Sequence, residues 1–152
     1  MRIYVDGDAC PVKELIERIT LKLDVKATVI ASINHVSNKD TALEYIYVDG
    51  ANQSVDMAIM NRVCKNDIVI TDDYGLASLL LMKEAFCLSS KGMIYNQNNI
   101  DDLLYTRHLN ASIMKGGGRI KGPVKRDNFD NEKFLVSFHK VIQLALHSNN
   151  VK

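Results

Sequence analysis

Short apolar runs alternate along this chain with stretches whose apolar residues recur at helical spacing, and that alternation constrains the fold more than any other feature. Residues 2–5, 26–33, 45–48, 67–71 and 85–88 are rich in β-branched and other apolar residues and read as strands. Ile68-Val69-Ile70 is apolar without a break, the pattern of a strand buried on both faces of a parallel sheet. Between the first two runs, Val12, Leu15, Ile16, Ile19 and Leu23 make a helical stripe over 11–23, with Pro11 at the first position, where a missing N–H costs nothing. Ser54 is placed to cap a helix over 55–64, and a further helix is predicted over 74–83. Strand and helix in turn specify an α/β domain with a mostly parallel five-stranded sheet and right-handed crossovers.

After Ser89 the character changes. Asn96, Asn98 and Asn99 mark a polar turn before a helix over 100–109, and Lys115 to Pro123 reads as a glycine-rich loop. A last helix over 131–147 carries Phe134, Phe138, Val141, Ile142 and Ala145 on its apolar face. The chain's 152 residues suit one domain, which at this size buries roughly 68–70% of the surface its unfolded form exposes. With 47% hydrophobic and 24% charged residues, global disorder is excluded. Cys10, Cys64 and Cys87 are odd in number and lack CxxC spacing, which predicts reduced thiols and a cytoplasmic protein. No secretory signal is visible, and no apolar run approaches the ~20 residues that span a membrane, so no membrane partner is expected.

Chemistry concentrates where the strands end. The first strand runs into Asp6-Gly7-Asp8, and the fourth into Asp72-Asp73. Open α/β sheets place their ligands outside the carboxyl ends of strands. Two carboxylates on one turn repel each other, and a cation or a shared proton offsets that repulsion. If the first and fourth strands are neighbours, Asp6, Asp8, Asp72 and Asp73 converge on one sheet edge, and the helix after Ser54 brings Asp56 towards it. Hard oxygens in this number suit Mg²⁺ or Mn²⁺, and a metal so held activates water and stabilises a phosphorane-like transition state. The alternative is structural: Asp8 and Asp73 each capping the helix that follows, and Asp56 answering a helix dipole. Capping, however, requires one aspartate per helix, and both strand ends supply two.

Charge is the second feature. Arg107, Lys115, Arg119, Lys121, Lys125 and Arg126 follow one another with no acidic residue between them. In a chain of net charge +1 this local asymmetry points to contact with a polyanion. A solvated loop is the other reading. Gly116-Gly117-Gly118 lacks the GxxxxGK[ST] spacing of a P-loop. Cys10 opens a helix, but Asp6 and Asp8 beside it oppose a thiolate, so a packed, inert thiol is expected. His35, His108, His139 and His147 share no ligand spacing and read as surface or satisfied polar residues.

Two chemistries compete for the acids. In haloacid-dehalogenase phosphatases a strand ends in DxD, its first Asp is phosphorylated, and a later acidic pair binds Mg²⁺; Asp6, Asp8 and Asp72-Asp73 mimic this, with Lys65 as a charge partner. In PIN-like nucleases three or four acids bind metal, and water attacks the phosphodiester with no covalent intermediate. Asp56 has a natural place only in the second scheme. The segments Asp6-Gly7-Asp8-Ala9-Cys10-Pro11, Val55-Asp56-Met57-Ala58-Ile59, Asn66 to Ala77 and Gly118 to Pro123 together resemble the YaiI/YqxD family of bacterial proteins, which is placed among PIN-like domains. The resemblance spans nearly the whole chain. It implies a single PIN-like domain of three α/β/α layers, and by analogy a Mg²⁺- or Mn²⁺-dependent nuclease. By position, Asp6, Asp8, Asp56 and Asp73 match the family's acidic residues. Two departures stand out: Gln53 occupies a position where some relatives carry another Asp, and Asp72 is acidic where relatives often have a neutral residue. A non-catalytic RNA-binding module is the alternative to the nuclease, and the phosphatase a further one.

Overall fold

The computed structural model describes residues 1–36 and 39–151. Its elements follow in the order β1 (Ile3–Asp6), α1 (Lys13–Leu23), β2 (Ala27–Ser32), β3 (Glu44–Val48), α2 (Ser54–Arg62), β4 (Ile68–Ile70), α3 (Tyr74–Met82), β5 (Phe86–Leu88), β6 (Ile94–Tyr95), α4 (Gln97–Lys115) and α5 (Asn128–Asn150). The sheet is six-stranded, ordered β3-β2-β1-β4-β5-β6. Every neighbouring pair from β3 to β5 is parallel, and β6 joins antiparallel to β5.

Both faces of the sheet are covered, which is why its central strands are apolar without alternation. On one side Ile3, Val5, Val29, Ile68 and Ile70 pack with Val12, Ile16 and Ile19 of the α1 segment and with Phe134, Phe138 and Ile142 of α5. On the other, Tyr4, Ile30 and Val69 meet Val55 and Ile59 of α2, Leu76 and Leu80 of α3, and Ile100 of α4. The result is the three-layer α/β/α arrangement, with a sixth strand added to the predicted five. That strand is two residues long, too short to leave a periodic signal, and is set by the turn before it: Gly92 has φ +84, and the Ser89 N–H donates to the Met93 carbonyl at 2.8 Å.

Helix ends also differ from expectation. Ser54 does not cap α2; Gln53 holds the N-cap position in the left-handed region, and the Ser54 hydroxyl donates to Asp49 at 2.6 Å. The α1 helix starts at Lys13, two residues beyond Pro11. The polar run read as a turn is a capping box: Asn96 accepts from the Asn98 and Asn99 N–H groups, and the Asn99 side chain accepts from the Asn96 N–H. From that start α4 runs past the predicted 100–109 to Lys115, stopping where the glycines begin. A second capping box, Asp127 with Asp130, starts α5 three residues earlier than predicted.

Strand order decides where the molecule can receive a ligand. The chain steps outward from β1 through β2 to β3, then returns to lay β4 on the other side of β1. The point of reversal opens a crevice between the carboxyl ends of β1 and β4, the place where open α/β sheets accept ligands.

Candidate functional site

Asp6-Gly7-Asp8 leaves β1 at that crevice. A side chain at Gly7 has no room, because its Cβ would lie 2.5 Å from Val29 Cγ1 and 2.9 Å from the Ile30 carbonyl oxygen. The glycine lets the exit of β1 lie against β2, and the Gly7 N–H donates to that same carbonyl at 2.8 Å. The two aspartates are thereby held at fixed positions on either side. A cleft of about 510 Å³ gathers Asp6, Asp8, Thr71, Asp72, Asp73 and Arg107 in its wall, with Cys10, Tyr74 and Ser90 beside them.

Each carboxylate has a distinct environment. Asp6 accepts from the Thr71 hydroxyl at 2.8 Å. Its pKa is raised to about 6, first by burial and then by the charges of Asp56, Asp8 and Asp73, with the Thr71 bond opposing them. Asp56 is also raised, by burial and by Asp73. Its place in the first turn of α2 thus brings it into the field of the two strand-end pairs, although it stands outside the cleft wall. Asp73 is the N-cap of α3, accepting from the Leu76 N–H at 3.1 Å, and its own N–H donates to Thr71 Oγ1 at 3.0 Å. The capping reading therefore holds for Asp73. It does not hold for Asp8, because α1 has Val12 at its N-cap and no side-chain cap. Asp8 instead accepts from the Ser32 N–H at 2.7 Å, tying the exits of β1 and β2 together. Asp72 is exposed, and its carboxylate accepts from both the N–H and the hydroxyl of Ser90, at 2.8 and 2.6 Å.

Three participants left little or no trace in the sequence. Thr71 bridges Asp6 and Asp73, and its position as a polar residue between an apolar strand and an acidic pair was the available clue. His35 Nδ1 lies 3.3 Å from Asp8 and 2.9 Å from Ser32 Oγ, so a histidine read as a surface residue borders the acids. Arg126, read as part of the basic run, is instead an anchor: it donates to the Ser90 carbonyl at 2.7 Å and to Asn131 at 2.7 and 3.0 Å.

The remaining basic residues divide in two. Arg107 projects from α4 into the acidic cleft, 3.6 Å from Asp73. Gly75 leaves it space, since a Cβ there would stand 3.2 Å from Asp73 Oδ1 and 3.9 Å from Arg107. Lys115, Arg119, Lys121 and Lys125 are exposed on the end of α4 and the loop after it. The far end of that loop is pinned beside the cleft, where Lys91 donates to the Val124 carbonyl at 2.8 Å. Cys10 is half-buried, and burial pushes its thiol up to about 11, in keeping with an inert group. All three cysteines are free. Lys65, the charge partner a phosphatase reading needs, precedes β4 at the opposite end of the sheet and pairs with Glu84 at 2.8 Å.

Carboxylate oxygens are donors of the kind that hard divalent cations accept, and carboxylates that raise one another's proton affinity are relieved by added positive charge. Among the described residues no three His, Cys, Asp or Glu side chains are grouped closely enough to hold a metal ion as they stand. Among the same residues, no helix is long and apolar enough to cross a membrane.

Comparison with known proteins places these features in a group. The profile described as "Uncharacterized BCR, YaiI/YqxD family" matches residues 4–144. A UPF0178 protein of Clostridium novyi is 42% identical over 150 residues, covering 99% of this chain and 100% of the relative. One from Bacillus mycoides is 44% identical over 146 residues, covering 95% and 100%. One from Alkaliphilus metalliredigens is 40% identical over 150 residues, covering 99% and 97%. No solved structure gives a significant match.

Proposed function

The chain belongs to the YaiI/YqxD family, and from its acidic crevice we propose that it is a PIN-like nuclease, using Mg²⁺ or Mn²⁺ to hydrolyse phosphodiesters of RNA or DNA. One observation carries this reading. Asp6 is buried among Asp56, Asp8 and Asp73, and its proton affinity rises, first through burial and then through their charges, although Thr71 donates to it. A fold tolerates such an arrangement where something positive is meant to enter.

In this reading Asp6, Asp56 and Asp73 hold the cation. When bound, the metal supplies an activated water and neutralises charge developing on the phosphodiester. The protein's own groups do the rest. Asp8, fixed by the Ser32 N–H and bordered by His35, orients water at the edge of the cleft. Arg107 holds a phosphate oxygen where it now faces Asp73. Lys115, Arg119, Lys121 and Lys125 attract the backbone beyond the cleft, with the salt dependence that phosphate contacts impose. Thr71 keeps Asp6 and the start of α3 in register.

Closing three carboxylates onto one ion requires side-chain movement, since no ready-made group of three is present among the described residues. That same observation favours the second reading, an RNA-binding module without turnover. The assay that separates them uses the full chain with Mn²⁺ or Mg²⁺ on single-stranded and structured RNA. The nuclease reading expects cleavage that chelation stops and that Asp6→Asn with Asp73→Asn abolishes. Cleavage unchanged in that double variant rules the site out. RNA affinity without metal-dependent cleavage selects the binding module.

A further inference from the structure

The α4 helix carries apolar residues on two opposite sides. One side packs inward: Ile100 is buried, and Leu103 and Leu104 are half-buried against the layer that holds Leu76 and Leu80 of α3. Arg107 stands on that same side, which is how it enters the acidic cleft. At about 100° per residue, Tyr105, Leu109 and Ile113 fall in one row on the side away from the domain. All three are exposed, at 64%, 43% and 46%. From Tyr105 to Lys115 every residue but Asn110 is exposed.

Single exposed apolar residues need no explanation, but a row of them at helical spacing does. A helix apolar on one side lies on a surface, whereas one apolar all round lies between two bodies. The domain is one of those bodies. Charge indicates the other. Asp101 and Asp102 are exposed at one end of the row, and Lys115 is exposed at the other, with Arg119 and Lys121 beyond it. None of these five has a salt-bridge partner among the described residues. The outer face is thus acidic before its apolar row and basic after it, which is complementary to the same helix running the other way.

We propose that this face is the seam of a homodimer, in which α4 packs antiparallel on α4 of a second copy about a two-fold axis at Leu109. Such an axis pairs residues equally far from Leu109. Tyr105 then meets Ile113 of the second copy, and Leu109 meets its own counterpart. Asp101 and Asp102 come opposite the second copy's Lys115 and the glycines that follow it. Asp101 and Lys115 lie on one flank of the row, and the two-fold keeps like flanks together, so opposite charges meet at both ends of the seam. Parallel packing would instead set aspartate on aspartate and lysine on lysine. Gly116, Gly117 and Gly118 have no side chains to hold the second copy away where Asp102 approaches. An isologous contact of this kind closes at two copies. Arg107, on the far side of the helix, keeps its place in the cleft, so the seam does not depend on what the cleft does.

Sedimentation velocity on the full chain, from about 1 to about 100 μM, covers the affinities of modest interfaces. A monomer–dimer equilibrium is expected within that range. Leu109→Lys replaces an exposed side chain, so it should keep the helical circular dichroism and abolish the dimer. Asp101→Lys should weaken association about fivefold or more, and Lys115→Asp added in the same chain should restore it, which a merely disrupted helix would not do. A monomer throughout the range overturns the proposal. So does a dimer indifferent to Leu109→Lys, since its interface then lies elsewhere. Failure of the charge exchange to rescue overturns the antiparallel register. Hydrogen exchange over residues 105–115 identifies the other occupant: protection that appears only with added RNA, in a monomer, gives the row to nucleic acid and overturns the seam.

Discussion

Aspartates border the central strands at both ends, and they are in opposite condition. Asp67, before β4, is 5% exposed, and its carboxylate accepts from two backbone groups, the Arg2 N–H at 2.7 Å and the Cys64 N–H at 3.0 Å. It joins the start of β1 to the turn before β4, and every contact it makes favours the fold. Asp6, at the other end of β1, has one hydroxyl in its favour and, against its charge, burial first and then three carboxylates. The same residue type is a structural pin at one edge of the sheet and a source of strain at the other. The difference lies in what meets the charge: backbone donors at the amino ends, and at the carboxyl ends burial, neighbouring acids and a single hydroxyl.

Substitution at the two ends should therefore act with opposite sign. Asp67→Ala takes the acceptor from the Arg2 and Cys64 N–H groups and should cost about 2 kcal/mol in urea unfolding, with any metal-dependent cleavage per folded molecule unchanged. Asp6→Asn removes the repelled charge and should raise stability at neutral pH by roughly 2 kcal/mol, while cutting metal-dependent cleavage about 100-fold. If both variants destabilise, the contrast between the edges is wrong.

Acidity acts on the same contrast. Because the folded Asp6 carboxyl titrates at about 6 rather than at the ordinary 3.8, the folded chain binds its proton more tightly than the unfolded one. Stability attributable to this group is full below the ordinary value, falls as pH rises through the window between the two, and is lowest above it. Urea midpoints across that window should decline in the natural chain relative to Asp6→Asn. Millimolar Mg²⁺ or Mn²⁺ should then restore part of the loss, raising the melting temperature by about 3 °C. Asp6→Asn should erase that rise, and a natural chain indifferent to both ions would count heavily against a metal site. The smallest effect belongs to Arg107, whose pair with Asp73 is 60% exposed on the arginine side. Arg107→Ala should alter stability by less than about 0.5 kcal/mol and lower the salt slope of RNA binding by about one.

Much of the fold, and the outline of the site, was legible in the residues alone. Unbroken apolar runs such as Ile68 to Ile70 announce strands covered on both faces, and the apolar stripes announce the helices that cover them. The convergence of Asp6, Asp8, Asp72 and Asp73 hung on one condition, that β1 and β4 be neighbours, and the sheet order meets it. What stayed hidden depends on single side chains and on turns. The Asn96 and Asn99 capping box looked like a turn because asparagine serves both uses. His35 reaches Asp8 only because the chain turns directly after β2. Arg107 and Arg126 fell within one run of positive charge, yet one enters the cleft and the other is spent holding Ser90 and Asn131. Charge counts carry no information about direction.

The pairing of β1 with β4 also sets when the strain is felt. Thr71 and Asp6 are 65 residues apart in the chain, and β1, α1, β2 and β3 are all made before β4 leaves the ribosome. The amino-terminal strands assemble with no second acidic pair to oppose them. Repulsion from Asp8 is local and that from Asp56 arrives with α2; the part due to Asp73 is added only as β4 docks against β1, and that part falls on a late, long-range event in folding. Relief of that charge should accelerate docking to the extent that the contact is formed in the transition state. Protonation or a cation present during synthesis would then act as a folding aid on these carboxylates.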